Sequence, residues 1–432
     1  MNQTQTKGSI KIYKGNVIFT KTPEEFVVLE NGYIIVEDKK VKQVVASIPQ
    51  QYKDINVIDF GDKLIIPGFV DLHFHAPQFP NRGLGLDKEL LPWLEQYTFP
   101  EEAKYKDLDY AKKVYSRVVK EVWKQGTTRI VLFSSVHKES TGLLFDLFDK
   151  SGLGAYVGKV NMDRNCADFL VEDTQNSLND TEDFIKDYVG KSELVKPIIT
   201  PRFVPTCTPE LMKGLGELAQ KYNVPIQSHI SENTGEVEWV KELHPEHRDY
   251  ASVYDYFGLF GHKPTVMAHC IHNTDEEIEM MRKNGVYAAH SPHSNLNLSS
   301  GIMPVRKFLE RGVNVGLATD VSGGHKVSIA SVMAVAAQAS KIKWLETNKE
   351  LDPLTTSEVF YLGTKGGGSF FGKVGSFEEN YDFDALVIDD SSLGDLDLTI
   401  EERLQRFIYI GDDRNIIERY VAGNKIDEPC FE

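Results

Sequence analysis

Polar and apolar positions alternate almost residue by residue over the first sixty positions, and then the rhythm changes. "SIKIYKGNVIFT", "EEFVVLENGYIIVED" and "KVKQVVAS" are β-rich and punctuated by turn signals such as Asn31-Gly32, so they predict strands. From Leu64 onward, short apolar runs alternate with longer amphipathic segments. The runs are "LIIPGFVDLHFH", "TTRIVLFSSV", "AYVGKV", "VKPIITPRF", "PIQSHIS", "TVMAHC", "VYAAHSP" and "NVGLATD". Each is followed by helix-like sequence, for example "TPELMKGLGELAQKY" or "DEEIEMMRKN".

Eight such alternations over roughly 250 residues match the length and rhythm of a (β/α)8 barrel. Continuous apolar runs suit parallel strands buried on both faces. After the eighth repeat, "KVGSFEENYDFDALVID" and "RFIYIGDDRNIIERYVAGNKI" return to strand-like alternation. The expected fold is therefore α/β: a TIM-like barrel over residues 67–373, with a small β-sandwich domain built from both chain ends, 1–66 and 374–432. A linear two-domain chain is the alternative arrangement.

Composition narrows the function classes. Of 432 residues, 41% are hydrophobic, ample for a packed core. Acidic residues outnumber basic ones, 64 to 48, for a formal net charge of −16. That balance argues against a nucleic-acid or anionic-membrane partner, since both need clustered positive charge. No apolar run is long enough to suggest a transmembrane helix, and "MNQTQTKGSIKIYKG" lacks the apolar centre of a secretory signal. The four cysteines, Cys166, Cys207, Cys270 and Cys430, have no CxxC spacing, which fits free thiols and a cytoplasmic location.

Candidate chemistry begins at "DLHFH". Side chains two apart on a strand share a face, so His73 and His75 point the same way. Two hydrogen-bonded core histidines would explain that pair equally well. The other strand ends change the weighing. His229 closes the fifth run, His269 the sixth, His290 lies in the seventh, and Asp320 ends the eighth. Titratable groups at the C-terminal ends of different barrel strands read as catalytic. Imidazole nitrogens with a carboxylate are what a zinc-like ion prefers, and idle buried polar groups at four strand ends would each cost a few kcal/mol.

PGFVDxHxH on the first run, histidines ending the fifth and sixth, and an aspartate ending the eighth together resemble the amidohydrolase superfamily, over almost the whole chain. Within it, "HAPQF", "GLDKELLPWLEQYTFPEE", "VKPIITPRF", "QSHISEN" and "SNLNLSSG" resemble the guanine deaminase family. There are departures: Cys270 follows His269 where glycine is commoner, Ser291 and His293 stand where cysteine and asparagine are often found, and "ATD" replaces "GTD". No lysine stands at the fourth strand end, where binuclear relatives carry a carbamylated one; Lys196 begins that run and belongs at the other end of the barrel.

The resemblance implies one divalent metal per chain, Zn2+ with Fe2+ as the alternative, held by His73, His75, His229 and Asp320. It implies hydrolytic deamination of guanine to xanthine and ammonia, in which the ion lowers the pKa of a water to about 7. His269 would orient the water or the tetrahedral adduct, and Asp320 would also accept a proton. Glu232 would shuttle protons; a carboxylate facing the next helix's dipole is its other reading. Arg202, Gln78, Phe203 and His229 would contact the purine. Arg202 is always a donor and would meet O6 of guanine but clash with the amino group of adenine. A loop cap for Gln78, plain core for Phe203 and an aromatic core role for Trp93 are the competing readings. A homodimer is implied as well. The cytidine-type zinc deaminases need a PCxxC motif and are excluded. Two rivals remain: an amidohydrolase acting on a related purine or triazine ring such as 8-oxoguanine, and a non-catalytic scaffold of the same fold.

Overall fold

The structure is a computed structural model that describes residues 9–394 and 397–431. Residues 1–8, on which the reading of the N-terminal stretch partly rests, lie outside the described residues.

The eight expected barrel strands are present in order. They are β5 (Phe69–His75), β6 (Thr127–Phe133), β7 (Gly154–Gly158), β9 (Val195–Pro197), β11 (Ile226–Ile230), β12 (Thr265–His269), β13 (Tyr287–His290) and β14 (Asn314–Leu317). All residues of β5, β6, β11 and β12 are buried, as two-sided burial requires. The strands hydrogen-bond as two parallel four-stranded sheets, β5-β6-β7-β9 and β11-β12-β13-β14. A parallel bridge between Ile199 and Ile226 joins them on one side. On the other side, the Asp320 N–H donates to the His73 carbonyl (2.9 Å) and the His75 N–H to the Val321 carbonyl (3.1 Å), which closes the barrel. Two short strands, β8 (Val160–Asn161) and β10 (Thr200–Pro201), pair just above β7 and β9.

The intervening helices start and stop where their caps dictate. The helix Pro209–Tyr222 begins with Thr208 accepting the Leu211 N–H and a proline in its first turn, and ends at Asn223 in the left-handed region. The helix Asp275–Asn284 opens with a Thr274–Glu277 capping box and stops at Gly285, φ 66°.

A separate seven-stranded sheet draws on both chain ends. Its order is β17-β16-β15-β4-β1-β2-β3. The strands are β1 (Ile10–Thr22), β2 (Glu25–Glu37), β3 (Lys40–Val45), β4 (Val57–Pro67), β15 (Ala385–Ile388), β16 (Ile416–Val421) and β17 (Asn424–Lys425). They form one continuous hydrogen-bonded sheet.

Three local expectations need correction. Asn31-Gly32 is not a turn between strands: it lies inside β2, where Asn31 adopts φ 50° and donates its N–H to the Asn16 side chain opposite a register skip in β1. The Asn-Gly pair supplies the positive φ of a bulge instead of a hairpin. "RFIYI" is not strand: it ends the helix Ile400–Ile410, launched by a Thr399–Glu402 capping box, which buries Leu404, Phe407 and Ile408. The capping box outweighs the β-rich composition of the segment. The first apolar run also divides. Leu64–Pro67 belongs to β4 and Phe69–His75 to β5. Gly68 sits between them because a Cβ there would lie 2.3 Å from the Thr128 hydroxyl.

Candidate active site

The C-terminal ends of the barrel strands bring five of the singled-out residues to one point. His73 and His75, both from β5, face inward with their Nε2 atoms 3.1 Å apart. His229 of β11 places its Nε2 3.1 Å from that of His75. Asp320, just past β14, has Oδ1 3.1 Å from His73 Nε2 and 3.6 Å from His75 Nε2. His269, the last residue of β12, has Nε2 3.8 Å from Asp320 Oδ2. His290 at the end of β13 is buried and stands outside this group, its Nδ1 unpartnered among the described residues. The backbone bends sharply at these ends. Ser231, His269, Cys270 and Asp320 all take positive φ, between 46° and 76°, a strained choice that clusters at functional sites. Cys270, at φ 51°, thus occupies a conformation that glycine adopts at no cost.

The donor set fits a divalent ion. A tetrahedral ion with bonds of about 2.0–2.1 Å sets its ligands about 3.3–3.4 Å apart; His73, His75 and Asp320 lie 3.1–3.6 Å from one another, and His229 lies 3.1 Å from His75 and within 4.8 Å of His73. His75 Nε2 faces two imidazole nitrogens at once, and a single N–H could satisfy only one of them. His229 Nδ1 donates to the Arg202 carbonyl at 2.6 Å, so its Nε2 presents a lone pair. Burial first, then the neighbouring histidines, pushes His75 and His229 well below the ordinary imidazole pKa. Both are therefore neutral, the form that ligates metal. Lone pairs and a carboxylate converging on one buried point suit a shared cation.

Around this point lies a pocket lined by His75, Gln78, Leu90, Trp93, Leu94, Arg202, Phe203, His229, Glu232, His269, Leu298 and Asp320. Glu232 is buried, with Oε2 3.3 Å from His269 Nε2. Burial, then Asp320 and Glu236, raises its pKa well above the ordinary carboxylate range. The competing role at the helix end is filled by Glu236, which forms the capping box with Asn233 and accepts the Glu232 N–H at 2.8 Å. Trp93 lines the cavity and also anchors its own loop by donating to the Leu84 carbonyl. Ser291 is buried and His293 bonds Ser331 at 3.2 Å; neither lines the cavity. Lys196 lies beside Arg129 and Tyr156, in a separate pocket at the opposite rim.

Three residues that sequence reasoning passed over support the site. Asp71, inside the quoted first-strand motif, accepts the N–H of His73 (3.2 Å) and both the N–H and the hydroxyl of Thr319. Asn295 Oδ1 accepts from His269 Nδ1 at 2.9 Å, which turns Nε2 toward Glu232 and Asp320. Glu102 binds both Arg202 and Gln78. The signal for Asp71 was a buried acid two residues before a histidine; Asn295 and Glu102 had only their places in "SNLNLSSG" and "FPEE".

Residues 64–426 match the amidohydrolase family. A guanine deaminase of Dictyostelium discoideum is 41% identical over 96% of this chain and 98% of its own length. The human guanine deaminase is 42% identical over 84% of this chain and 83% of its own. Among solved structures, the guanine deaminase of C. acetobutylicum, with guanine bound in its active site, superposes with a TM-score of 0.96 at 58% identity, covering 97% of this chain and 100% of that one.

Proposed function

This chain belongs to the amidohydrolase family, and on that premise we propose that it is a guanine deaminase, converting guanine and water to xanthine and ammonia. The observation that carries the proposal is one pocket lined both by three imidazoles with Asp320 and by Arg202 with Gln78. Guanine bound there would turn its C2 amino group to the histidines and its O6 to Arg202 and Gln78. His73, His75, His229 and Asp320 would hold the ion, whose chemistry when bound is to acidify a water so that a nucleophile is available near neutral pH.

The chain's own groups do the rest. Glu232, ionised at the outset, takes a proton from the water and delivers it to the ring nitrogen beside C2. Asp320 accepts the remaining proton of the added oxygen, which then goes to the departing ammonia. His269, steered by Asn295, steadies oxygen as it adds to C2. Arg202 and Gln78 hold the O6 edge, Phe203 and Trp93 flank the ring, and Leu90, Leu94 and Leu298 keep water out. An amino group at position 6 would meet the Arg202 donors with its own hydrogens, which disfavours adenine.

Zn2+ as the ion is supported by the three-nitrogen, one-carboxylate donor set. A homodimer is supported by Ile342, Leu345, Tyr409 and Ile410, which are exposed on the helices Ile329–Glu346 and Ile400–Ile410. A cytoplasmic location is supported by four free cysteines, and among the described residues no helix is long and apolar enough to cross a membrane. The division into 67–373 and the two flanking segments is part of the same reading, supported by β4 ending at Pro67 in the small sheet.

The test is a turnover assay with metal analysis. Loss of guanine with matching xanthine and ammonia, and about one ion per chain, is the expected result. Metal without guanine turnover would move the activity to another ring, and a metal-free, inactive protein would favour a scaffold.

A further inference from the structure

We infer that Glu102 is a positioning residue for substrate recognition, one carboxylate that fixes the two side chains holding the O6 edge of the purine. The inference rests on the reading of Arg202 and Gln78 given above. Glu102 does not line the cavity itself. It ends the short helix Phe99–Glu102, in the long connection between β5 and β6. Its side chain is 2% exposed.

Three donors converge on its two oxygens. Arg202 Nη1 donates to Oε2 at 2.6 Å and Nη2 to Oε1 at 3.1 Å, a two-pronged pairing that allows the guanidinium one orientation. Gln78 Nε2 donates to Oε1 at 2.9 Å. The Phe99 ring of the same helix lies 5.3 Å from the Arg202 guanidinium carbon, closing one face. Arg202 comes from the loop after the fourth barrel strand and Gln78 from the loop after the first, so one acid couples two distant parts of the pocket.

The pairing also decides which end of the Gln78 amide is which. A carboxylate only accepts, so the end beside Glu102 is the NH2. The other end accepts the Ser322 backbone N–H at 3.1 Å, so it is the oxygen. The amide is thus held in one sense from both sides. The pairing has an electrostatic consequence as well: with Glu102 ionised, the Arg202 cation is neutralised, and the far end of the pocket offers donors without net positive charge. A neutral base such as guanine loses nothing by this. Xanthine, the product with an oxo group at C2, is a stronger acid that sheds a proton more readily, and its anion loses the attraction an unpaired guanidinium would give it.

The experiment compares wild type, Glu102→Gln and Glu102→Asp, each metal-loaded, for guanine turnover, inhibition by xanthine at mildly alkaline pH, metal content and thermal melting. Glu102→Gln is expected to raise KM for guanine about 10- to 100-fold, as misplacement of binding groups does, with kcat within about threefold of wild type. Its xanthine inhibition constant, relative to its guanine KM, falls, because Arg202 is now a net cation. Glu102→Asp, which keeps the charge but not the reach, shows an intermediate KM and a wild-type xanthine ratio. An unchanged KM in Glu102→Gln, a loss of kcat at constant KM, or failure of both variants to fold with metal would overturn the inference, the last by making Glu102 a structural residue. Wild-type protein that leaves guanine untouched would instead remove the reading of the site on which the inference rests.

Discussion

Thr319 donates both its backbone N–H (3.0 Å) and its hydroxyl (2.5 Å) to the buried carboxylate of Asp71. The two residues are 248 positions apart; Asp71 is on the first barrel strand and Thr319 just past the last. The same carboxylate accepts the His73 N–H, and Asp320 donates its own N–H to the His73 carbonyl. Closing the barrel and aligning two proposed ligands are therefore one set of hydrogen bonds. Asp71→Asn puts an amide NH2 against donors, leaving at least one of them unpaired in a dry site. The expected cost is about 1–3 kcal/mol of stability together with weaker metal retention, read by thermal melting and metal analysis. A variant with wild-type melting and metal content would show that the clamp is dispensable.

Glu232→Gln tests proton delivery. The amide keeps the volume of the side chain and its place beside His269, so the ion should be retained and KM little altered. The turnover number should fall about 10²- to 10⁴-fold, the usual contribution of a positioned acid or base. Full activity in this variant would take Glu232 out of the mechanism.

Much of the fold was legible because barrel strands are buried on both faces and so appear as uninterrupted apolar runs. His73, His75, His229, His269 and Asp320 were legible because each interrupts or ends such a run, where burial makes a polar residue conspicuous. The supporting groups left no comparable trace. Glu102 reaches Arg202 across 100 residues, and Asn295 reaches His269 across 26; both lie in connections whose path no periodicity describes. The misread segments failed for local reasons. "RFIYI" has strand composition, but the capping box that makes it a helix lies seven residues upstream of it. Asn31-Gly32 supplies a positive φ that a hairpin and a bulge use equally well.

Asn295 bears on catalysis through one bond. With its Oδ1 accepting from His269 Nδ1 at 2.9 Å, the ring presents Nε2 to the reacting end of the cavity. Asn295→Leu removes the acceptor at similar volume, so the ring loses both its tautomer preference and its orientation. The expected result is a drop in kcat of about 10- to 100-fold, as for other groups that orient a catalytic histidine, with KM for guanine close to wild type. A rise in KM alone would place His269 in recognition instead.

The pH profile should carry the signature of crowded carboxylates. Burial, then Asp320 and Glu236, raises the Glu232 pKa. If Glu232 must be ionised before it can accept a proton, kcat/KM falls as pH drops through that raised value, so the acid limb lies above the range of an ordinary glutamate. Glu236→Gln removes one like charge while its amide oxygen can still accept the Glu232 and Asn233 N–H groups. The Glu232 pKa then drops, and the acid limb moves to lower pH. A limb that stays in place, or moves up, would mean that another group sets it.

Removing the ion should cost stability as well as activity. His75 Nε2 lies 3.1 Å from the Nε2 atoms of both His73 and His229, and Asp320 Oδ1 lies 3.1 Å and 3.6 Å from the Nε2 atoms of His73 and His75, all in a buried site. Without a cation the lone pairs repel, and an unfolded chain has no such site to offer. An ion present at 100 times its dissociation constant adds about 2.7 kcal/mol to the folded state. Dialysis against a transition-metal chelator should therefore abolish guanine turnover and lower the melting temperature together, and one equivalent of Zn2+ should restore both. His229→Ala should melt at the same temperature with and without chelator, because its cluster no longer holds the ion firmly. If chelator leaves the wild-type melting curve where it was while metal analysis confirms that the ion is gone, the histidines owe their arrangement to the barrel alone, and the ion contributes to chemistry but not to the fold.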